Sequence, residues 1–591
     1  MLFFDFEVFK EDWLIVAIDP IHKREHVIVN NKKDLEKLYN EYRNDIWVGY
    51  NCRNYDQYIL KGILLGFNPK TVNDWIIVKN RKGWEYSSLF NNIPLILYDV
   101  MPNIPVSLKV LEGFMGNNIH ETSVPFDINR KLTTKELSET IEYCRSDVFN
   151  TIEIFIRREN EFNSQMQLIK TFNLPLTHLS KTQAQLAAII LGAKKKKLKD
   201  EWNIRLPEVL DLGKYKAVGE WFLNPSNHNY ECKLDYDICG LTHTIAWGGV
   251  HAGRKQYHYD CKPDEIILDI DVDQLYPTLM VVYNLLSRAV EEPERFKKIL
   301  ETSLVLKREG KKAEREPYKR ICNITYGAEG DMFNPMYDPL HRNLVCVFGQ
   351  VLIIDLLDKI EDLIELLQSN TDGIFVKLKR DNVPELKRRV EEWEKRTGLK
   401  MSYAEFTGIY QKDVNNYIAV PTGSLYDEKG KPRWHSKGGY VKELNELDYD
   451  LPIVNEAVKM YMLRNISVEH TINACQDIRK FQKIVKLSNK YKWVEHELTY
   501  IPTYSPRGKL IPNYYNRKKY DNKAYRVFAS KDENDGRLLK CDGVRNPAKF
   551  GNTPDHCFIE NGDIRFMQIP DKLDRQYYID LAKSRLEDFG V

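Results

Sequence analysis

Two apolar, strand-like runs carry carboxylates at alternate positions, and this most constrains what the 591-residue chain can become. The first is LFFDFEVF, with Asp5 and Glu7; the second is EIILDIDVDQLYP, with Asp269, Asp271 and Asp273. Alternation sets such acids on one face of a strand, close enough to repel unless a cation lies among them. Each run opens a region of alternating strand and helix patterns, so two acid-bearing α/β units are expected in one chain. Length alone allows about four domains.

The formal net charge is +2, which neither supports nor excludes a polyanionic partner. Such a partner requires the lysines to segregate from the carboxylates. The ten cysteines include no C-x-x-C pair, so neither a disulfide framework nor a zinc finger is indicated, and a reducing cytoplasm fits best. MLFFDFEVFKEDW places acids within its apolar start and does not read as a signal peptide. No apolar run is long enough to span a bilayer.

Residues 1–150 read as mixed α/β, with strands at LFFDFEVF, IWVGYN and IPLILYDV. TKELSETIEYCRSDVFNTIEIFIRR reads as a helix with Thr-x-x-Glu capping and apolar residues at helical spacing. Residues 160–200 continue helical into AKKKKLK, where the run Lys194–Lys197 reads first as a solvated helix end. Residues 201–262 suit an irregular connector. A second α/β unit is expected from about 264, with a basic helix over roughly 297–325. A long amphipathic helix through VFGQVLIIDLLDKIEDLIELL and a strand pair around SNTDGIFVKL follow.

Asp5 and Glu7 alone fit a solvated strand face, but later stretches supply partners. YNCRNYDQYIL offers Asn51, Tyr55 and Asp56, and EYCRSD offers Tyr143 and Asp147 one helical turn apart. Four carboxylates suit two Mg²⁺ ions, which clamp the attacking water and leaving oxygen of a phosphodiester, with Tyr143 to orient the water. In order, D-x-E, N-x-x-x-Y-D and Y-x-x-x-D resemble the motifs of the proofreading 3′–5′ exonucleases of DnaQ/RNase H-like fold carried by DNA polymerases. The resemblance implies that Asp5, Glu7, Asp56 and Asp147 hold metal and that Asn51 and Tyr55 hold the frayed primer end. Ser107-Leu108-x-x-Leu111 is similar to a single-strand contact motif of small phage polymerases.

The second set follows the same logic. D-x-x-x-L-Y-P from Asp271 resembles motif A of family B DNA polymerases. Lys319, Asn323, Tyr326 and Gly327 in KRICNITYG match K-x-x-x-N-x-x-Y-G of motif B, and Thr371 and Asp372 match motif C. Nucleotidyl transfer needs a 3′-hydroxyl activated and a pyrophosphate charge neutralised, which two Mg²⁺, or Mn²⁺ in their place, accomplish together. Lys307, Arg315 and Lys319 stand eight and four residues apart, near helical period, and suit a triphosphate, Lys319 best. The resemblance implies that Asp271 and Asp372 hold metal, that Tyr276 packs under the sugar, and that Asn323 and Tyr326 face the nascent base pair.

Three departures from the family stand out. Motif C reads Asn370-Thr371-Asp372, with asparagine in place of the first carboxylate. The lysine-bearing K-x-Y motif appears as Asn415-Asn416-Tyr417, with Lys412 or Lys437 as substitutes. W-G-G-V-H, with Gly248 and Gly249, resembles the Y-x-G-G linker without its tyrosine. About forty-odd residues separate motif A from B and B from C, leaving no space for the two insertions of protein-primed phage polymerases. A compact enzyme that extends an ordinary nucleic-acid primer is therefore expected, with weaker strand displacement and processivity.

From residue 500, TYSPRGKLIPNYYNRKKYDNKAYRVF is basic and aromatic together, which suits phosphates and bases or a β-rich thumb. The tail through DRQYYIDLAKSRLEDF resembles the ends of phage polymerases and closes on a docking helix. The expected organisation is α/β and α+β multidomain. It comprises an exonuclease domain (1–185), connector (186–263), palm (264–296 and 331–440), short fingers (297–330) and thumb with C-terminal region (441–591). The expected partners are primer-template DNA, dNTPs and phage replication proteins (helicase, primase, single-strand-binding protein), with a monomer in a bacterial host's cytoplasm. Two rival readings are a nuclease with a degenerate polymerase half and a non-catalytic primer-template-binding factor.

Overall fold

The opening strand β1 (Leu2–Val8) alternates between two cores, and this fixes where its acids go. The computed structural model describes residues 1–507 and 510–591. In it Leu2, Phe4, Phe6 and Val8 pack with Trp47, Ile59 and Leu60. Phe3 packs on the opposite face with Val16, Val48, Cys144 and Val148. The odd positions Asp5 and Glu7 share the face of Phe3. Around β1 lie β2 (Trp13–Asp19), β3 (Arg24–Val29), β4 (Ile46–Gly49) and β5 (Ile96–Asp99), in the order β3–β2–β1–β4–β5. β2 is antiparallel to β1, and β4 is parallel to it. Helix α1 (Asp56–Leu64) contributes to the first core. α2 (Leu108–Met115) and α3 (Thr134–Arg157) contribute to the second. α3 starts on the Thr133–Glu136 capping box that its sequence predicts.

The described residues divide into two compact units: 1–180 with 443–454 and 469–580, and 181–442 with 455–468 and 581–591. The fold is mixed α/β and multidomain. In the first unit, the C-terminal strands form a three-stranded and a four-stranded sheet. They are tied to α2 by Arg526, which is fully buried. Its guanidinium donates to the carbonyls of Gly113 (3.1 Å), Asn117 (2.7 Å), Glu560 (3.1 Å) and Gly562 (2.7 Å), and to Gln482 Oε1 (3.0 Å). These acceptors satisfy the cation without a paired carboxylate, and burial holds its pKa down at about 10. Gly508 and Lys509, inside the basic and aromatic stretch, lie outside the described residues.

In the second unit, β10 (Glu265–Val272) is the central strand of a ten-stranded sheet. The sheet begins earlier than the sequence suggests. The expected irregular connector contains β6 (Lys233–Ile238), β7 (Leu241–Ala246), β8 (Gly249–Gly253) and β9 (Tyr257–Asp260). KLDYDI and LTHTIA alternate, and the Cys239-Gly240 pair between them takes positive φ (51° and 74°), a hairpin signal in the sequence itself. β11 (Glu365–Ser369), β12 (Gly373–Lys379), β13 (Met401–Asp413), β14 (Asn416–Pro421) and β15 (His435–Lys437) complete the sheet, with β10 antiparallel to β12 and β13.

Two helical expectations are corrected. The single basic helix over 297–325 is a helical pair, α5 (Pro293–Arg308) and α6 (Lys312–Glu329), preceded by α4 (Leu275–Val282). Gly310, at φ +70°, takes the left-handed turn that breaks it. The long helix through residue 367 is α7 (Pro339–Ile360), which stops at a 3₁₀ turn before β11. α7 is buried around most of its circumference and is not amphipathic, and its buried Asp355 pairs with Arg396 (2.5 Å). The run LIELL was open to either reading, because short apolar segments lack a decisive period. The C-terminal helix Arg575–Asp588 forms where expected. No helix among the described residues is long and apolar enough to cross a membrane.

Candidate functional site

The first site gathers around β1. Asp5 and Glu7 project toward α3, which presents Tyr143, Cys144 and Asp147. Asp56, at the first turn of α1, reaches β1 from the other layer, where its Oδ1 accepts from the Phe6 N–H (3.2 Å). Four acids from three segments thus meet at one strand. Burial, then the Asp147 charge, pushes Asp5 up to about 7. Burial, then Asp5, pushes Glu7 and Asp56 well above the carboxylate range. Burial also raises Asp147, with Lys109 pulling it back. Burial and then Asp147 keep the Tyr143 phenol protonated, suited to donating a hydrogen bond.

The four acids outnumber Lys109, the cation beside them, and hard oxygen donors fit a divalent cation such as Mg²⁺. The ligand atoms of Asp5, Glu7 and Cys144 lie within 4.8 Å of one another. The Cys144 thiol is a poor member of that set, because burial raises its pKa and its S–H donates to the Asp5 carbonyl (3.4 Å).

Sequence reasoning missed Lys109. Its ammonium contacts Asp147 Oδ1 (2.5 Å) and Glu112 Oε1 (3.0 Å) and lies 4.5 Å from the Tyr143 ring centroid. Asn150 Nδ2 donates to the same Glu112 oxygen (3.1 Å). A charged i, i+3 pair inside the apolar SLKVLEGFM was the available signal. The Ser107 hydroxyl caps nothing at the start of α2 and is buried without a hydrogen-bond partner. Leu108 packs against the second core. The left-handed Asn51 (φ +58°) is held by Asp99 Oδ1, which accepts its N–H (2.9 Å). The Tyr55 hydroxyl donates to Asn73 Oδ1 (2.8 Å).

The second site is a cavity of about 510 Å³ at the end of β10. Asp271, Tyr276, Lys307, Arg315, Lys319, Asn323, Thr371 and Asp372 all line it. Asp271 lies opposite Gly373 in the ladder, and the Val272 N–H donates to the Asp372 carbonyl (2.8 Å), so the two acids stand on adjacent backbones. Burial, then Asp372, Asp269 and Asp273, raises Asp271 to about 7. The fold separates the roles of the three alternating acids. Asp269 Oδ2 pairs with His435 Nδ1 (2.8 Å), and Asp273, just beyond the strand, pairs with Lys307. Asp271 and the paired Asp273 both line the cavity. Lys307 sits on α5 while Arg315 and Lys319 sit on α6, and the turn at Gly310 brings all three to one cavity.

Tyr276 and Tyr326 pack together, their ring centroids 4.3 Å apart, and the Tyr326 hydroxyl meets Cys346 Sγ (2.7 Å). Gly249 is required where it stands, since a Cβ there would fall 2.5 Å from Thr371 Oγ1. The Gly248 carbonyl accepts from Cys346 Sγ (3.8 Å). Tyr417 and Lys412, of the stretch that stands for the K-x-Y motif, do not line this cavity. Tyr417 is 9% exposed in a cluster with Phe375 and Phe406, and burial pushes its hydroxyl up to about 12. Lys412 pairs with Asp588 (2.5 Å). Lys437 is exposed and is a ladder partner of Tyr417. The Lys194–Lys197 run is partly engaged, with Lys194 on Glu291 (2.7 Å) and Lys195 on the Met332 carbonyl (2.9 Å).

No protein-family model matches the chain, and no curated protein matches it.

Proposed function

We propose that this chain is a template-directed DNA polymerase of family B type that carries its own 3′–5′ exonuclease. The observation that carries the reading is the second cavity. Asp271 and Tyr276, Lys307, Lys319 with Asn323, and Thr371 with Asp372 come from four separated segments and line one space. Asp271 and Asp372 are the residues that would hold Mg²⁺, or Mn²⁺ in its place. Lys319, Arg315 and Lys307 face the same space and would neutralise a triphosphate. Tyr276 would support the sugar, with Asn323 and Tyr326 toward the base. When bound, the metal supplies activation of the primer 3′-hydroxyl and neutralisation of the leaving pyrophosphate.

In the first site, Asp5, Glu7, Asp56 and Asp147 would hold the same ion class, and Tyr143 would orient water toward a 3′-terminal phosphodiester. The intervals between the motif-bearing segments hold α4, α5 and α7, which supports a compact enzyme using an ordinary primer. Primer-template DNA and dNTPs are the proposed partners, for a monomer assisted by other replication proteins in phage genome replication.

The rival of a degenerate polymerase half rests on Asn370 and on the lysine missing before Tyr417. The Asn370 N–H donates to the Gly373 carbonyl (2.8 Å) and the residue does not line the cavity, so the replacement leaves Asp271 and Asp372 in place. The deciding experiment offers a 5′-labelled primer on a template with Mg²⁺, with and without dNTPs. Templated extension with dNTPs and trimming without them is the expected result. Trimming alone would favour the degenerate reading, and binding with neither activity would favour a non-catalytic factor.

A further inference from the structure

Residues 74–85, DWIIVKNRKGWE, form a projection that the site chemistry does not use. Its base is rigid. Gly83 lies flat on the Tyr58 ring of α1, so close that a Cβ would fall 2.1 Å from it. Tyr86 stacks on Phe90 (centroids 5.9 Å) and meets Phe67 edge-on (5.5 Å). The segment enters through a π-helical turn, Asp74–Val78, just after Asn73, which accepts from the Tyr55 hydroxyl.

Its outer face is exposed and of unusual composition. Ile77 is 61% exposed, Val78 73% and Trp84 65%. Lys79, Arg81 and Lys82 are exposed among them. Lys79 and Arg81 rest over the Trp75 ring (5.5 and 5.8 Å) rather than on carboxylates. The segment's ion pair, Lys70–Asp74 (3.0 Å), lies at the base. Exposed apolar and aromatic side chains interleaved with cations match a polymer that has phosphates on one side and stackable bases on the other.

We infer that this projection binds single-stranded nucleic acid and leads it toward the first carboxylate site. Its base rests on α1, the helix that begins with Asp56, so a strand lying on it continues toward the Tyr55 side of that site. This inference rests on the nuclease half of the proposed function. Lys79, Arg81 and Lys82 would follow phosphates while Trp84 stacks on a base.

The test measures binding of a fluorescent oligothymidylate by anisotropy across a salt series, alongside hydrolysis of a small chromogenic phosphodiester. The triple variant Lys79→Gln/Arg81→Gln/Lys82→Gln is expected to bind about tenfold more weakly at low salt and to lower the salt slope by about 2. Trp84→Ala is expected to weaken binding about tenfold, with Trp84→Phe retaining it. Hydrolysis of the small ester should be unchanged in all three. Absence of that hydrolysis in the unmodified protein would sink the nuclease reading, while the anisotropy arm still decides the surface. Unaltered oligothymidylate binding in the triple and Trp84→Ala variants would overturn the inference. So would loss of binding to phosphatidylserine vesicles with oligothymidylate binding intact, which would mark the patch as a lipid contact.

Discussion

The two carboxylate clusters gather the same donor groups in opposite surroundings. Around β1 the acids are enclosed between helices, and the cation in their midst is Lys109, held on Asp147 and Glu112. At the end of β10 the acids border an open cavity, Asp372 is exposed, and three cations stand on a helical pair around it. On the proposed function, the enclosed cluster would cut a terminal bond, and the open cavity with its cations would take in a highly charged monomer. On that proposal the acids set the class of reaction, while the surrounding cations set what is brought to them.

The sharpest way to break the comparison is to remove one acid of the open site. Asp271→Asn should lower primer extension by roughly 10³-fold, with trimming of single-stranded DNA within twofold of the unmodified rate. Next, Lys319→Ala should raise the KM for dNTPs by about tenfold or more and leave trimming unaffected, with Lys319→Arg recovering part of the loss. Steady-state kinetics on a homopolymer template checks both.

Charge starvation gives a third test. Asp5 and Asp271 stand at about 7 in the metal-free protein, above their value in an unfolded chain. The folded state therefore binds more protons than the unfolded state between about pH 4 and 7, and metal-free stability falls as pH rises through that window. Mg²⁺ should raise Tm by a few degrees at pH 8 and by much less at pH 5, read by calorimetry with and without EDTA. A smaller effect is expected at the edge of the open site. Gly249→Ala forces a methyl against Thr371, and extension should fall about three- to tenfold with trimming unchanged.

Much of both sites was legible because their chemistry is local. Asp5 with Glu7, Tyr143 with Asp147, and Lys319 with Asn323 each lie two to four residues apart on one element, so period alone aligns them. The hairpin of α5 and α6 was hidden because Lys307, Arg315 and Lys319 keep helical spacing across Gly310, and only the turn there shows two helices. Lys109 was hidden because a lysine in an apolar helix usually snorkels, and its partners Asp147 and Glu112 meet it only in the fold. The separate fates of Asp269 and Asp273 depend on His435 and Lys307, far away in the chain. No strand period contains that information.

The central claim is that each carboxylate nest serves one reaction. It is tested most directly by following one 5′-labelled primer, mismatched at its 3′ end, on a template with Mg²⁺ and dNTPs. The unmodified protein, Asp372→Ala and Asp5→Ala would be run side by side. Asp372→Ala should trim and never extend. Asp5→Ala should leave the mismatch in place while extending a matched primer normally. Loss of both reactions in both variants would contradict the account.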